Sequence, residues 1–171
     1  MKKSVNRIYI IGTSGSGKSF LSNKLSEKLG IPNYDLDDVF FIKKHTLRRS
    51  ENKRDKLLSK IASRKKWIIE GVYGSWIEKA LRKADLVIIL DIHLLVLTKR
   101  ILFRFLRKNK AERESLRDII KLVKYVKGYK KSVTETGYKH HLHLMSKHKL
   151  NYFILKNSKE INQFISSFIK D

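Results

Sequence analysis

A chain of 171 residues without cysteine is the size of one domain and can bury a core without covalent staples, and disulfides, thiolate metal sites, iron–sulfur clusters and thiol catalysis are excluded. Hydrophobic residues at 42% and aromatics at 10% belong to a globular chain, while 39 Lys and Arg against 16 Asp and Glu leave a formal charge of +23 that attracts polyanions. The N-terminus carries no legible secretory leader, and the longest apolar stretch, residues 86–97, is too short and too polar to span a bilayer, so a cytoplasmic protein with no membrane partner is expected.

Apolar runs alternate with helical periods along the chain. Residues 5–11 form a β-branched run ending at glycine, which predicts a buried parallel strand. Leu21, Leu25 and Leu29 make a stripe at four-residue spacing, and Gly30 with Pro32 closes that helix. A weak strand is expected over 33–36, and a basic helix over 47–66 on Leu57, Leu58 and Ile61. Residues 67–70 and 84–90 read as strands, 94–108 and 111–131 as basic helices, 150–155 as a fifth strand and 159–169 as the closing helix. Strands separated by helices imply crossover connections, hence an α/β fold of three layers with a parallel sheet in the middle. There is no repeat and no linker, so residues 1–171 read as one domain.

Between the first strand and the first helix lies Gly12-Thr13-Ser14-Gly15-Ser16-Gly17-Lys18-Ser19, which satisfies G-x-x-x-x-G-K-[ST] at every defined position. The glycines let the backbone curl its N–H groups toward phosphate oxygens, and the helix beginning there adds its free N–H groups and the positive end of its dipole. Lys18 is expected to reach the β- and γ-phosphates and Ser19 to ligand Mg²⁺, with Phe20 beside them. The ligands are therefore a nucleoside triphosphate, ATP, and Mg²⁺.

Acidic residues recur where parallel strands end, the edge at which such sheets bind ligands. Asp35, Asp37 and Asp38 follow the second strand, Glu70 ends the third and Asp91 the fourth. A carboxylate there holds Mg²⁺ through water or takes the proton of an attacking hydroxyl, although acids also cap helices in this position. Lys18 and Glu70 are assigned catalytic roles, Glu70 together with the water-mediated metal contact; Asp37 is assigned a catalytic and substrate role, and Asp38 a substrate role. Gly71 leaves room for a ligand, with Tyr73 close behind.

The P-loop, Leu36-Asp37-Asp38, Trp67-Ile68-Ile69-Glu70-Gly71-Val72-Tyr73 and Ala84-Asp85-Leu86-Val87-Ile88-Ile89-Leu90-Asp91 occur in an order that resembles the adenylate-kinase-related P-loop proteins of the DNA topology modulation (FlaR-like) group. The resemblance implies a nucleoside-monophosphate-kinase-like P-loop NTPase fold with a five-stranded sheet in the order 2-3-1-4-5. It also implies a substrate-side helical insert over 37–66 and a basic lid over about 104–131. Val72-Tyr73-Gly74-Ser75 stands where those kinases carry Pro-Arg, which argues against an ordinary adenylate kinase. Kinases of this fold close arginines over the transferring phosphate; by that likeness Arg100 and Arg104 are catalytic, and Arg107 and Arg113 contact substrate.

Four further signals have plainer readings. The basic residues of 111–131, interleaved with Tyr125 and Tyr129, form either a solvated face or a nucleic-acid surface. Asn52-Lys53-Arg54-Asp55 matches a guanine-reading motif but lacks its preceding strand, and His140, His141, His143 and His148 lie among lysines that repel a cation. Trp67 and Trp76 read as core aromatics. The expected activity is transfer of the γ-phosphoryl of ATP to a small hydroxyl- or phosphate-bearing acceptor. The alternative is a nucleotide-dependent nucleic-acid-binding protein or polynucleotide-end kinase.

Overall fold

The computed structural model describes residues 5–43, 46–107 and 115–168. Five parallel strands, β1 (Arg7–Gly12), β2 (Asn33–Asp35), β5 (Trp67–Glu70), β6 (Leu86–Leu90) and β7 (Tyr152–Leu155), form one sheet in the order β2-β5-β1-β6-β7. Counted along the chain that order is 2-3-1-4-5, as expected. A two-stranded antiparallel hairpin, β3 (Phe41–Lys43) with β4 (Leu47–Arg48), stands apart from it. The helices are α1 (Lys18–Leu29), α2 (Leu36–Phe40), α3 (Glu51–Ala62), α4 (Glu78–Leu81), α5 (Leu94–Arg107), α6 (Leu116–Tyr129), α7 (Tyr138–Lys147) and α8 (Ser158–Ser167).

Successive strand residues point to opposite faces, and both faces are apolar, which produces two cores. Ile8, Ile10, Ile68 and Ile88 face α1, α5, α6 and α8 through Leu21, Leu25, Leu97, Ile101, Ile119 and Ile161. Tyr9, Ile11, Trp67, Ile69 and Ile89 face α2, α3, α4 and α7 through Leu36, Val39, Leu58, Leu81 and Leu144. Removing one such isoleucine or leucine to alanine costs about 2–5 kcal/mol. Trp67 is a core aromatic, as expected, whereas Trp76 is only half-buried.

The register sets the site. Ile10 pairs with Glu70 and Gly12 with Leu90, so the phosphate loop leaves the centre of the sheet beside the end of β5. The Asp85 carboxylate accepts from the backbone N–H groups of Asn6 (3.1 Å) and Arg7 (2.9 Å) and from the Arg7 guanidinium (2.7 Å), tying the starts of β6 and β1 together.

The structure departs from the sequence reading in the two helical inserts. The segment 47–66 is not one helix: Leu47 and Arg48 pair with the strand that follows α2, and the helix spans Glu51–Ala62. The helix expected over 111–131 is Leu116–Tyr129, started by the Ser115 hydroxyl, which accepts from the Asp118 N–H. Tyr138–Lys147 is a helix where only a histidine cluster was legible.

Candidate active site

The phosphate loop has the conformation its glycines permit. Gly15 and Gly17 take φ of 78° and 99°, values that side chains disfavour. A Cβ on Gly15 would sit 3.2 Å from the Leu97 carbonyl oxygen and 3.3 Å from Ile101 Cγ1, so α5 packs directly on the loop backbone. Helix α1 begins at Lys18 with no side-chain cap, leaving its first N–H groups free for an anion. Thr13 Oγ1 and Ser16 Oγ are buried without a hydrogen-bond partner. A triphosphate fits this cradle.

Lys18 and Glu70 form the charged floor. The Lys18 ammonium lies 3.5 Å from the Thr13 carbonyl oxygen and 3.9 Å from Glu70 Oε2, with side-chain exposures of 15% and 4% for the pair. Burial pushes the Lys18 pKa down against the opposing pull of Glu70, Asp37 and Asp35. Burial likewise pushes the Glu70 carboxyl up, offset by the Lys18 charge and by a hydrogen bond with the Ser19 side chain. Each group is thus displaced toward its neutral form, and an arriving polyphosphate would favour the charged ammonium. Ser19 and Glu70 are together where Mg²⁺ is expected. Among the described residues no three His, Asp or Glu side chains are placed to hold a metal on their own, but Mg²⁺ commonly takes one or two carboxylates plus phosphate oxygens, so the donor set fits.

The opposite wall comes from α2 and the strand ends. Asp35 caps α2 by accepting from the Asp37 N–H at 2.8 Å, and the Asp37 Oδ1 accepts from the Tyr73 hydroxyl at 2.6 Å. Burial, then that hydrogen bond, holds the Tyr73 proton far above the ordinary phenol range. Asp35, Asp37, Glu70, Gly71 and Tyr73 all line the same cleft as the phosphate loop, whereas Asp38 is exposed and is not among its lining residues. Gly71 has φ of 156°, and a Cβ there would lie 2.8 Å from Leu36 Cβ, so only glycine lets the β5 end approach α2 this closely.

The Tyr73 loop is held from behind. His141, fully buried, donates from Nε2 to the Tyr73 carbonyl oxygen at 3.1 Å, which places its proton on that nitrogen. Burial pushes the His141 pKa down, so it stays neutral. Glu135 accepts from the Ser75 N–H at 3.2 Å and from its hydroxyl at 3.0 Å. Phe40, Tyr73 and Trp76 stack beside this loop with centroids 5.1 to 6.3 Å apart, and the Arg54 guanidinium lies 4.6 Å over Trp76.

The arginines separate into distinct roles. Arg100 Nη1 donates to the carbonyl oxygens of Gly15 and Ser16, both at 3.2 Å, and Nη2 to the Ser158 hydroxyl at 3.0 Å. Arg104 reaches the Ser14 hydroxyl at 3.5 Å. Arg107 is not in the cleft; its guanidinium lies 5.5 Å over Phe103 of its own helix. Arg113 lies outside the described residues. From α6, Asp118, Lys121, Leu122 and Tyr125 line the cleft, which also takes in Phe20, Ser158, Ile161 and Asn162 and encloses about 1510 Å³. That exceeds the volume of a drug-sized pocket.

On the aromatic-basic face of α6, Arg117, Lys124 and Lys127 are exposed, but one of its two tyrosines is lost to the interior. Tyr129 is buried against Tyr138 and His141, and Tyr125 and Lys121 face the cleft. Asp91 pairs with Lys130 at 2.6 Å and is not among the cleft-lining residues. His148 pairs with Glu78, an acidic neighbour far away in sequence. Asn162, a cleft position for Tyr125 and the supporting role of His141 were not read from sequence, whereas Asp35 was seen as an acid after the second strand without a role of its own.

No family model matches the chain. The uncharacterised protein YqaC of Bacillus subtilis (strain 168) is 36% identical over 91 residues, 53% of this chain and 49% of its own length, so the match spans about half of that relative. Among solved structures, shikimate kinase from Acinetobacter baumannii in complex with shikimate superposes with a TM-score of 0.58 at 17% identity, over 96% of this chain and 90% of that one. Shikimate kinase from Bacteroides thetaiotaomicron gives 0.56 at 17% identity over 96% of both chains. A gluconokinase from Sinorhizobium meliloti 1021 gives 0.55 at 14% identity over 98% and 91%. The fold is that of the P-loop small-molecule kinases.

Proposed function

We propose that the chain is an ATP-dependent phosphotransferase that moves the γ-phosphoryl group of MgATP to a hydroxyl of a small acceptor. The observation that carries this reading is one cleft with a phosphate cradle and the buried Lys18–Glu70 pair on one side and the Tyr73–Asp37 hydrogen bond on the other. A bare nucleotide switch needs no second carboxylate wall.

In this reading Lys18 and the loop N–H groups bind the β- and γ-phosphates, and Arg104 reaches the charge that spreads over the transferring group. Ser19 and Glu70 would hold Mg²⁺, which supplies neutralisation of the phosphate oxygens. Asp37 takes the acceptor proton: the acceptor O–H bond breaks, an O–P bond forms, the bond from γ-phosphorus to the bridging oxygen breaks, and ADP leaves. Tyr73 fixes the orientation of Asp37, and Arg100 fixes the loop.

The order of motifs supports placing the chain beside the FlaR-like group, but that label sets no chemistry. A coupled assay of ADP release tests the reading. An acceptor should raise turnover above the acceptor-free rate, and Lys18→Ala should abolish the increase. Acceptor-independent hydrolysis alone, across a broad hydroxyl library, would refute it.

A further inference from the structure

Resting on the phosphotransferase reading, we infer that the segment where α6 turns into α7 shapes the cleft without lining it. His141 and Glu135 are positioning residues that hold Tyr73, and through Tyr73 the Asp37 carboxylate that takes the acceptor proton. Neither is among the residues that line the cleft. Both bind the chain that joins β5 to the short turn Ser75–Ile77.

That joining chain is Gly71-Val72-Tyr73-Gly74. With glycine at both ends it loses more backbone freedom on ordering than other sequences would, and it belongs to neither strand nor helix. Contacts from the α6–α7 segment supply the restraint. His141 Nε2 donates to the Tyr73 carbonyl oxygen at 3.1 Å. Glu135 Oε2 accepts from the Ser75 N–H at 3.2 Å and from its hydroxyl at 3.0 Å. A Cβ on Gly74 would lie 2.7 Å from Glu135 Cβ, so the two backbones meet too closely for a side chain between them.

The restraint passes to the cleft through a single residue. With the Tyr73 carbonyl held, its ring packs against Phe40 and Trp76, each with its centroid 5.1 Å away, and its hydroxyl meets Asp37 Oδ1 at 2.6 Å. That bond sets the plane of the carboxylate, and a displacement of about 1 Å in a reacting group can cost about 100-fold in rate. Imidazole suits the task because its two nitrogens do different things. Nε2 is committed to the loop, while Nδ1 faces the Tyr129 hydroxyl at 3.4 Å, at the end of the helix whose Lys121, Leu122 and Tyr125 line the cleft. An apolar side chain would fill the same buried position without the cost of desolvating a polar ring, but it could not fix the carbonyl.

The test reads the Tyr73–Asp37 contact directly. NMR of the full chain labelled with ¹³Cζ-tyrosine, its Tyr73 resonance assigned through Tyr73→Phe, compares wild type with His141→Leu, His141→Asn, His141→Gln and Glu135→Ala. Leucine removes the donor and asparagine is too short to reach the carbonyl, whereas glutamine returns an N–H at the reach of Nε2. The Tyr73 resonance is expected to move by more than its linewidth in the Leu, Asn and Ala variants and to return in the Gln variant. The β,γ-imido analogue of ATP with Mg²⁺ should bind all of them within about twofold of wild type. A Tyr73 resonance that stays in place in the variants that fold shows that His141 and Glu135 only support the core, and it overturns the inference. So does an equal shift in His141→Gln, or a parallel loss of nucleotide binding. ADP release over the hydroxyl library judges the phosphotransferase reading by itself: no acceptor-dependent turnover in wild type refutes transfer, while the resonance still decides the positioning. With the acceptor that raises turnover most, His141→Leu should lose kcat about tenfold at unchanged KM for MgATP, and His141→Gln should recover it to within about threefold. Equal kcat in all variants overturns the inference.

Discussion

Arg100 offers the sharpest test of how the nucleotide site is held. Its guanidinium bridges α5 to two loop carbonyls at 3.2 Å and to the Ser158 hydroxyl at 3.0 Å. Charge-assisted bonds of normal length contribute about 1.5–3 kcal/mol each, but these are long and half-exposed, so about 1 kcal/mol for each loop contact is the appropriate figure. The exposed Ser158 contact adds little. Arg100→Met should therefore weaken binding of MgATP analogues by about 2 kcal/mol, or about 30-fold, with little change in melting temperature. Arg100→Lys keeps the charge but not the fork and should lose nearly as much. Titration calorimetry of wild type and both variants at one salt concentration decides the matter. If Arg100→Lys binds within twofold of wild type, the residue acts by charge alone and the tethering argument is wrong.

Three other outcomes follow from the same geometry. Because burial displaces both Lys18 and Glu70 toward neutrality, the double variant Lys18→Met/Glu70→Gln should bind no nucleotide yet melt at least as high as wild type, gaining about 1 kcal/mol or about 2–4 °C; a lower melting temperature would contradict it. His141 has a folded-state pKa below its unfolded value near 6.5, so the unfolded chain binds the extra proton and stability falls as pH drops below that value. His141→Gln should reduce the acid-side loss of melting temperature between pH 7.5 and 5.5, and an unchanged slope would speak against this role. Gly71→Ala meets both an unfavourable φ and the Leu36 Cβ, and should cost about 2–4 kcal/mol in a denaturant titration; a loss under about 0.5 kcal/mol would show that α2 yields freely.

The parallel sheet and the phosphate-loop half of the cleft were legible because each is written in consecutive residues. Runs such as Trp67–Glu70 and Leu86–Leu90 are apolar on both faces, and the loop is a contiguous motif. The half of the cleft around Asp37 and Tyr73 is assembled from separate segments, and that is why it was read only in part. Phe40, Tyr73 and Trp76 meet across separate segments, and His141 reaches the Tyr73 carbonyl from a helix whose sequence was read only as a histidine cluster among lysines. The arginine face of α5 was legible as a face, but spacing could not tell Arg100, which turns to the loop, from Arg107, which lies on Phe103. Lys121 and Tyr125 likewise belonged to a basic helix side until α6 packed against α5 and turned that side to the cleft.

The position of β1 at the centre of the sheet constrains how the molecule comes into being. Its two neighbours, β5 and β6, pair Ile10 with Glu70 and Ile88, contacts that span much of the chain and close large loops before they return any energy. The cradle has no flanking walls until both have docked, so nucleotide cannot template the early steps and captures only a nearly finished sheet. Folding should accordingly be slow for a chain of this size and indifferent to MgATP in its rate, while unfolding is slowed by it.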